Sequence, residues 1–115
     1  MLKAGLVGAG HLGKIHLKLL QQSEKYQLIG FHDKDVENGK KLEAELGYKY
    51  FENFEDLLNE IEMLDIVTPT LYHYDYALQA INKGIHFFIE KPVTHTLEQA
   101  EELLRLCNEK GIKAQ

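Results

Sequence analysis

Residues 2–13 read LKAGLVGAGHLG, an apolar run that leads directly into a glycine-rich turn. The run predicts a buried β-strand over Leu2–Val7, and the apolar spacing after the turn predicts a helix. The turn has the form G-x-G-x-x-G: Gly8 permits a tight bend, Gly10 leaves room for a pyrophosphate, and Gly13 lets helix and strand pack closely. A turn that serves packing alone is the alternative. The strand–turn–helix context favours a dinucleotide-binding site at the helix N-terminus.

The same alternation of apolar runs and helical spacing continues to the end of the chain. Further strands are predicted at Tyr26–His32, Tyr48–Phe51, Met63–Val67, His86–Ile89 and Ile112–Ala114. Further helices are predicted at Val36–Leu46, after a cap at Asn53, at Tyr72–Lys83 and after a cap at Thr96. These βα units predict an α/β protein with a doubly wound, mainly parallel sheet and helices on both faces, the three-layer α/β/α Rossmann fold.

Apolar spacing also predicts which side of each helix is buried. The residues expected to face the core are Leu12, Ile15, Leu19 and Leu20 in the first helix, Ala77, Ala80 and Ile81 in the fourth, and Leu97, Ala100, Leu103, Leu104 and Cys107 in the last. If these stripes are buried as predicted, helices cover both faces of the sheet.

Length and composition are typical of a soluble globular domain. The 115 residues suit one domain, 1–115, with 44% hydrophobic and 27% charged residues. A net charge of −5 without a basic cluster disfavours nucleic acid, and no apolar run approaches the roughly 20 residues that cross a bilayer. The single cysteine, Cys107, and the lack of a signal sequence predict a cytoplasmic location. The histidines lack metal-ligand spacing, so no metal is predicted.

Asp33 follows the second strand, about 20 residues after the glycine turn, where a carboxylate accepts hydrogen bonds from the adenosine ribose hydroxyls. This position favours NAD, because a carboxylate repels the 2′-phosphate of NADP. Lys34 stands beside it and partly offsets that repulsion, so NADP remains the alternative. A surface turn formed by Asp33 and Asp35 before the next helix is another interpretation.

Polar residues and both prolines follow two neighbouring predicted strands, at the carboxyl ends where open α/β sheets bind their ligands. These residues are Thr68, Pro69, Thr70 and His73 after one strand and Glu90, Lys91 and Pro92 after the other. The sequence therefore predicts that both stretches lie at the ligand-binding edge of the sheet, although an exposed lysine at a strand end is the simpler interpretation of Lys91.

At these residues the whole chain resembles the glucose-fructose oxidoreductase, inositol dehydrogenase and rhizopine catabolism (Gfo/Idh/MocA) family of NAD(P)-dependent oxidoreductases. The resemblance rests on the glycine turn, on the acidic residue after the second strand, and on the stretches Thr68–His73 (TPTLYH) and Gly84–Pro92 (GIHFFIEKP). The last stretch is similar to the family signature G-K-H-V-x-x-E-K-P, with Ile85 and Phe87 as departures. Thr70 stands where members usually have Asn.

The resemblance implies hydride transfer between a nicotinamide cofactor and a sugar, polyol or related secondary alcohol. Lys91, held by Glu90 and Pro92, would hydrogen-bond the substrate oxygen or relay a proton. His73 would lie near the nicotinamide ribose, although a capping or half-buried role fits it nearly as well, and His11 would reach the pyrophosphate. The glycine turn and the resemblance together assign cofactor binding to Gly8, Gly10, His11, Leu12, Gly13, Asp33, Lys34, Thr68, Pro69, Thr70, His73, Glu90 and Lys91.

Family members also carry a second, α+β domain that supplies an acid/base histidine with its Asp partner and most subunit contacts. We therefore expect 1–115 to be a truncated cofactor-binding half with negligible turnover by itself, taken from a protein that is a homo-oligomer at full length. The alternatives are a nucleotide-sensing Rossmann module, against which Glu90-Lys91-Pro92 argues, and a structural α/β domain with an empty crevice.

Overall fold

The computed structural model describes residues 1–89 and 96–114. Its sheet has four strands, all of whose pairings are parallel, in the order β2-β1-β3-β4. Their bounds are β1 (Leu2–Val7), β2 (Tyr26–His32), β3 (Met63–Ile66) and β4 (His86–Ile89). The order reverses direction beside β1, which confirms the doubly wound topology and places the carboxyl ends of β1 and β3 side by side.

Helices cover both faces of this sheet. One layer contains α1 (His11–Gln22) and α2 (Val36–Leu46), and the other contains α3 (Phe54–Leu58), α4 (His73–Asn82) and α5 (Leu97–Lys110). A single 3₁₀ turn, Thr70–Tyr72, precedes α4. The three-layer prediction is therefore confirmed, although the helix predicted to start at Tyr72 begins one residue later. No helix within the described ranges is long and apolar enough to span a membrane.

Two predicted edge strands are reduced to single bridges. The segment 48–51 pairs with β2 only through Tyr50 and Phe31, because the chain bends at Glu52 to begin α3. At the other edge Ala114 pairs only with Phe87, and the Lys113 amide donates to a side-chain nitrogen, Nδ1 of His86, rather than to a backbone carbonyl. The predictions of strands over Tyr48–Phe51 and Ile112–Ala114 were thus wrong in extent, although each segment takes the predicted position.

Of the predicted buried face of α1, only Leu20 is confirmed. Leu12, Ile15 and Leu19 are 46%, 45% and 60% exposed, and the buried residues are Gly13, Leu17 and Leu20. The rotation of α1 follows from one contact, because a Cβ on Gly13 would collide with the carbonyl oxygen of Gly8. Once Gly13 faces the strand, the residues four and seven positions later must face it too.

The predicted buried face of α5 is only partly confirmed, whereas the predicted buried face of α4 is confirmed. Leu97 and Leu104 of α5 are exposed, while Leu103 and Cys107 are buried. In α4 the buried residues include Ala77, Ala80 and Ile81, as predicted. Helix ends follow local chemistry: Asp35, Asn53 and Thr96 cap α2, α3 and α5, and Gly47 and Gly111 end α2 and α5 in the left-handed conformation.

Candidate functional site

The glycine turn lies against the exit of β3. Gly8 has φ 99°, and its N–H donates to the carbonyl of His32 at 3.0 Å. A Cβ on Gly8 would lie 2.6 Å from the backbone nitrogen of Thr68, closer than real Cβ atoms approach. Glycine is therefore required here for its backbone conformation and for the space, and the turn brings the ends of β1, β2 and β3 together.

The N-terminus of α1 is open and lacks a side-chain cap. Its N-cap residue is Gly10, and no acidic side chain lies in its first turn. The first helical bond runs from the Lys14 N–H to the Gly10 carbonyl at 3.0 Å, so the N–H groups of the first three helical residues precede the hydrogen-bond ladder. A Cβ on Gly10 would meet no atom within 4 Å. Gly10, His11 and Leu12 are exposed. Helix N–H groups without a partner in the helix suit an anion such as a pyrophosphate.

Asp33 lies at the end of β2 with its carboxylate held from two sides. Its Oδ2 accepts a hydrogen bond from Asn38 Nδ2 at 2.7 Å, and its Oδ1 accepts one from the Asp35 N–H at 3.3 Å. The same Asn38 nitrogen donates to the Ala9 carbonyl in the glycine turn at 3.2 Å. Asp33 as a whole residue is half-buried.

An aromatic cluster packs beneath Asp33, formed by His32, Tyr50, Phe54 and Tyr76. The Tyr50 hydroxyl donates to the backbone carbonyl of Asp33 at 2.8 Å. Burial raises the pKa of Tyr50, and the carboxylates of Glu52, Asp33 and Asp35 raise it further. Burial, followed by the charge of Asp33, also raises the pKa of Tyr76. Both phenols are therefore neutral hydrogen-bond donors at physiological pH.

The Lys34 side chain extends from the end of β2 towards the turn that follows β3. Its ammonium lies 3.9 Å from the ring centroid of Tyr72, in the turn that follows β3, and makes a cation–π contact. The contact links the residue after Asp33 to the loop after β3, which carries Thr68 and Pro69. Lys34 is thus engaged with an aromatic ring in the structure and not paired with Asp33.

The loop after β3 contains three described candidate residues. The Thr68 carbonyl accepts a hydrogen bond from His73 at 2.7 Å, so Nε2 carries the proton. His73 is 3% exposed, and this bond ties the start of α4 to the loop. The Thr68 hydroxyl oxygen is buried and has no hydrogen-bond partner within the described residues. Pro69 is exposed, and its carbonyl accepts the Tyr72 N–H at 2.9 Å.

The sequence predicted the Asp33 carboxylate and the glycine turn as parts of the site. It did not predict that Asn38 and Tyr72 would contact site residues. A signal for Asn38 existed, since a polar residue in the first turn of the helix after Asp33 can fold back onto it. Glu90, Lys91 and Pro92 lie outside the described residues, as does the side chain of Thr70. Within the described ranges no cluster of three His, Cys, Asp or Glu side chains could hold a metal ion.

Comparison with known proteins agrees with this arrangement. A sequence model of the Gfo/Idh/MocA family, described as "Oxidoreductase family, NAD-binding Rossmann fold", matches residues 2–115. The chain is 35% identical over 115 residues to UDP-N-acetylglucosamine 3-dehydrogenase of Acidithiobacillus ferrooxidans, covering 96% of this chain and 35% of that protein. It is 31% identical over 114 residues to glucose-6-phosphate 3-dehydrogenase of Bacillus subtilis, covering 99% of this chain and 33% of that protein.

The likeness extends to three dimensions. The solved structure of the UDP-N-acetylglucosamine 3-dehydrogenase GnnA from Acidithiobacillus ferrooxidans matches with a TM-score of 0.88 and 34% identity, covering 98% of this chain and 37% of that one. The chain therefore spans about a third of the length of the curated relatives it matches.

Proposed function

Because the chain belongs to the Gfo/Idh/MocA oxidoreductase family and corresponds to its NAD-binding Rossmann fold, we propose that residues 1–115 hold the nicotinamide cofactor of a sugar or polyol dehydrogenase. The observation that carries this proposal is the bridge made by Asn38, which joins the Asp33 carboxylate to the glycine turn. A ribose-binding group and a pyrophosphate-binding turn are thereby held as one unit. In the relatives this region is about a third of the polypeptide, so the catalytic proposal concerns the whole protein that carries it.

The cofactor we propose is NAD. The Asp33 carboxylate accepts hydrogen bonds from ribose hydroxyls and repels a 2′-phosphate. Lys34 is the nearby cation that would favour NADP, and its ammonium is engaged by the ring of Tyr72. Gly10, His11, Leu12 and Gly13 supply the backbone N–H groups for the pyrophosphate, and Thr68, Pro69, Thr70 and His73 line the path from there towards the nicotinamide.

The reaction we propose is oxidation of a secondary alcohol to a ketone. A bound nicotinamide would supply the acceptor for the hydride of the carbon, and a base of the enzyme would take the hydroxyl proton. Lys91, with Glu90 and Pro92 beside it, is the proposed catalytic residue of this region. Its ammonium donates a hydrogen bond to the substrate oxygen and stabilises negative charge that develops there.

A hexose derivative is the substrate class with most support. The two relatives named above are 3-dehydrogenases of sugars that carry a phosphate or a nucleoside diphosphate group. Both names describe oxidation of a ring hydroxyl. We therefore propose that the whole protein acts on a sugar or polyol. Phosphorylated and nucleotide-linked hexoses are the first compounds to test.

Calorimetric titration of the 115-residue chain with NAD and with NADP tests the cofactor proposal. We expect NAD to bind more tightly, and Asp33→Ser to reduce that preference because it removes both the ribose acceptor and the repulsion. Absence of binding by both cofactors would overturn the proposal. In the whole protein, Lys91→Met should lower kcat by about 100-fold or more. Unchanged turnover would remove Lys91 from catalysis.

A further inference from the structure

Asn38 occupies a position that couples the two ends of the site. Its Nδ2 donates to Oδ2 of Asp33 at 2.7 Å and to the carbonyl of Ala9 at 3.2 Å. Both acceptors lack hydrogens to donate, so the chemistry requires the amide nitrogen, not the amide oxygen, to face them. Both N–H bonds of the amide group are used, and its orientation is fixed.

Hydrogen bonds from the Asn38 side chain and the Asp35 N–H leave one side of the Asp33 carboxylate free. A carboxylate has about four acceptor sites, two on each oxygen. The Asn38 amide uses one on Oδ2, and the Asp35 N–H uses one on Oδ1. One acceptor site therefore remains on each oxygen, which matches the two adjacent hydroxyls of a ribose. Without the Asn38 bond the carboxylate could rotate about χ2, and this match would be lost.

We propose that Asn38 is a positioning residue that sets the preference for NAD over NADP by holding the Asp33 carboxylate towards the ribose. The inference rests on the proposed function, because it assumes that this crevice binds the cofactor. Asn38 contributes little to the helix through its side chain, since its backbone N–H is bonded separately to the Asp35 carboxylate that caps α2. Its side chain is thus free to serve the site.

The alternative is a purely structural role in fastening α2 to the glycine turn. In that case removing the side chain would weaken NAD and NADP alike, by loosening the turn that both cofactors use. A positioning role predicts an asymmetric result, because only NAD depends on the oriented carboxylate. NADP gains from a displaced carboxylate, since repulsion of its 2′-phosphate decreases.

The test measures Kd for NAD and for NADP with the 115-residue chain carrying Asn38→Leu, with Asn53→Ala as the matched control. The Asn53 side chain accepts a hydrogen bond from the Glu55 N–H at the start of α3, outside the proposed site. For Asn38→Leu we expect the NAD Kd to rise about tenfold, the cost of one hydrogen bond to a charged group, and the NADP Kd to change by less than about threefold. Asn53→Ala should leave the ratio of the two constants unchanged. Asn38→Ser serves as a smaller second variant if Asn38→Leu does not fold.

A double-mutant cycle with Asp33→Ser separates the two roles further. If Asn38 acts through the carboxylate, Asn38→Leu should have almost no additional effect on NAD affinity once Asp33 is replaced. An equal loss in both backgrounds, or an unchanged NAD to NADP ratio in Asn38→Leu, would overturn the positioning role while leaving cofactor binding intact. Failure of the parent chain to bind both cofactors would instead overturn the proposed function and this inference with it.

Discussion

The imidazole Nδ1 of His16 lies 2.7 Å from Oδ2 of Asp65, across the boundary between α1 and β3. The two side chains are 15% and 6% exposed. A carboxylate in the middle of a buried strand is costly without a partner, and this bond links the helix after the glycine turn to the strand beside β1.

Replacement of His16 by Leu should therefore destabilise the fold by about 2 to 3 kcal/mol, because it removes a donor from a buried carboxylate. Urea unfolding measures the change. His11→Leu, at an exposed histidine of the same helix, should stay within about 0.5 kcal/mol. Adding Asp65→Leu to His16→Leu should recover part of the loss; a double variant that is less stable than either single variant would contradict the pairing.

Gly8→Ala should cost at least about 3 kcal/mol, since a left-handed backbone conformation and a collision with the Thr68 backbone add together. Gly47→Ala is the matched control, with φ 80° and open space around its Cβ position. It should cost only about 1 kcal/mol, from backbone conformation alone. If both variants lost the same free energy of unfolding, the close approach of Gly8 to the end of β3 would contribute nothing to the cost.

Gly10→Ala should separate binding from stability. The backbone of Gly10 has φ −77°, which alanine adopts easily, and the added methyl group points into open space. We expect a stability change of only about 0.5 kcal/mol but a rise of about tenfold or more in the Kd for NAD, because the methyl group occupies space beside the pyrophosphate N–H groups. Calorimetric titration and thermal unfolding of the same sample measure both. Unchanged affinity would remove this open space from the cofactor site.

Tyr72→Leu should release Lys34 and increase affinity for NADP by about threefold, corresponding to a cation–π contact of about 0.5 to 1 kcal/mol. The control is the same substitution in a Lys34→Met background, where no gain should occur. A gain that persists without Lys34 would mean that Tyr72 acts on NADP by another route. Titration with NADP in all four variants of the cycle provides the measurement.

The two tyrosines of the aromatic cluster should make the fold sensitive to alkaline pH. Burial is the largest cause that raises the pKa values of Tyr50 and Tyr76 above the ordinary value of 10.0. The contribution of these two tyrosines to the free energy of unfolding is therefore complete below pH 10. It is lost as the pH rises from there through their folded-state pKa values. Urea unfolding between about pH 8 and about pH 11 should show this decline. A decline of the same steepness in the Tyr50→Phe, Tyr76→Phe double variant would contradict the assignment.

Three of the four strands, together with α2, could be predicted from sequence because their signals are local. β1, β2 and β4 have the predicted bounds, and α2 ends where Gly47 takes a left-handed conformation. The face of α1 could not be predicted in this way. Its rotation depends on contact between Gly13 and Gly8, whereas apolar spacing alone favoured the exposed leucines on another side.

The site shows the same division between local and distant signals. Asp33 and the glycine turn are recognisable by spacing, and their positions agree with that expectation. Asp65 was overlooked inside an apolar strand because its partner, His16, is 49 residues away. Asn38 was overlooked because its bond to Ala9 joins the first turn of α2 to the glycine turn, 29 residues away in the sequence.

Reaction of Cys107 with a thiol reagent can report the separation of α5 from the sheet. It is the one cysteine of the sequence, it is 4% exposed, and burial raises the pKa of its thiol. In the closed protein the sulfur is therefore both shielded and poorly nucleophilic, so its modification by a thiol reagent requires α5 to separate from the sheet. The rate of labelling then measures how often this layer detaches, without an added probe and without removing a competing thiol.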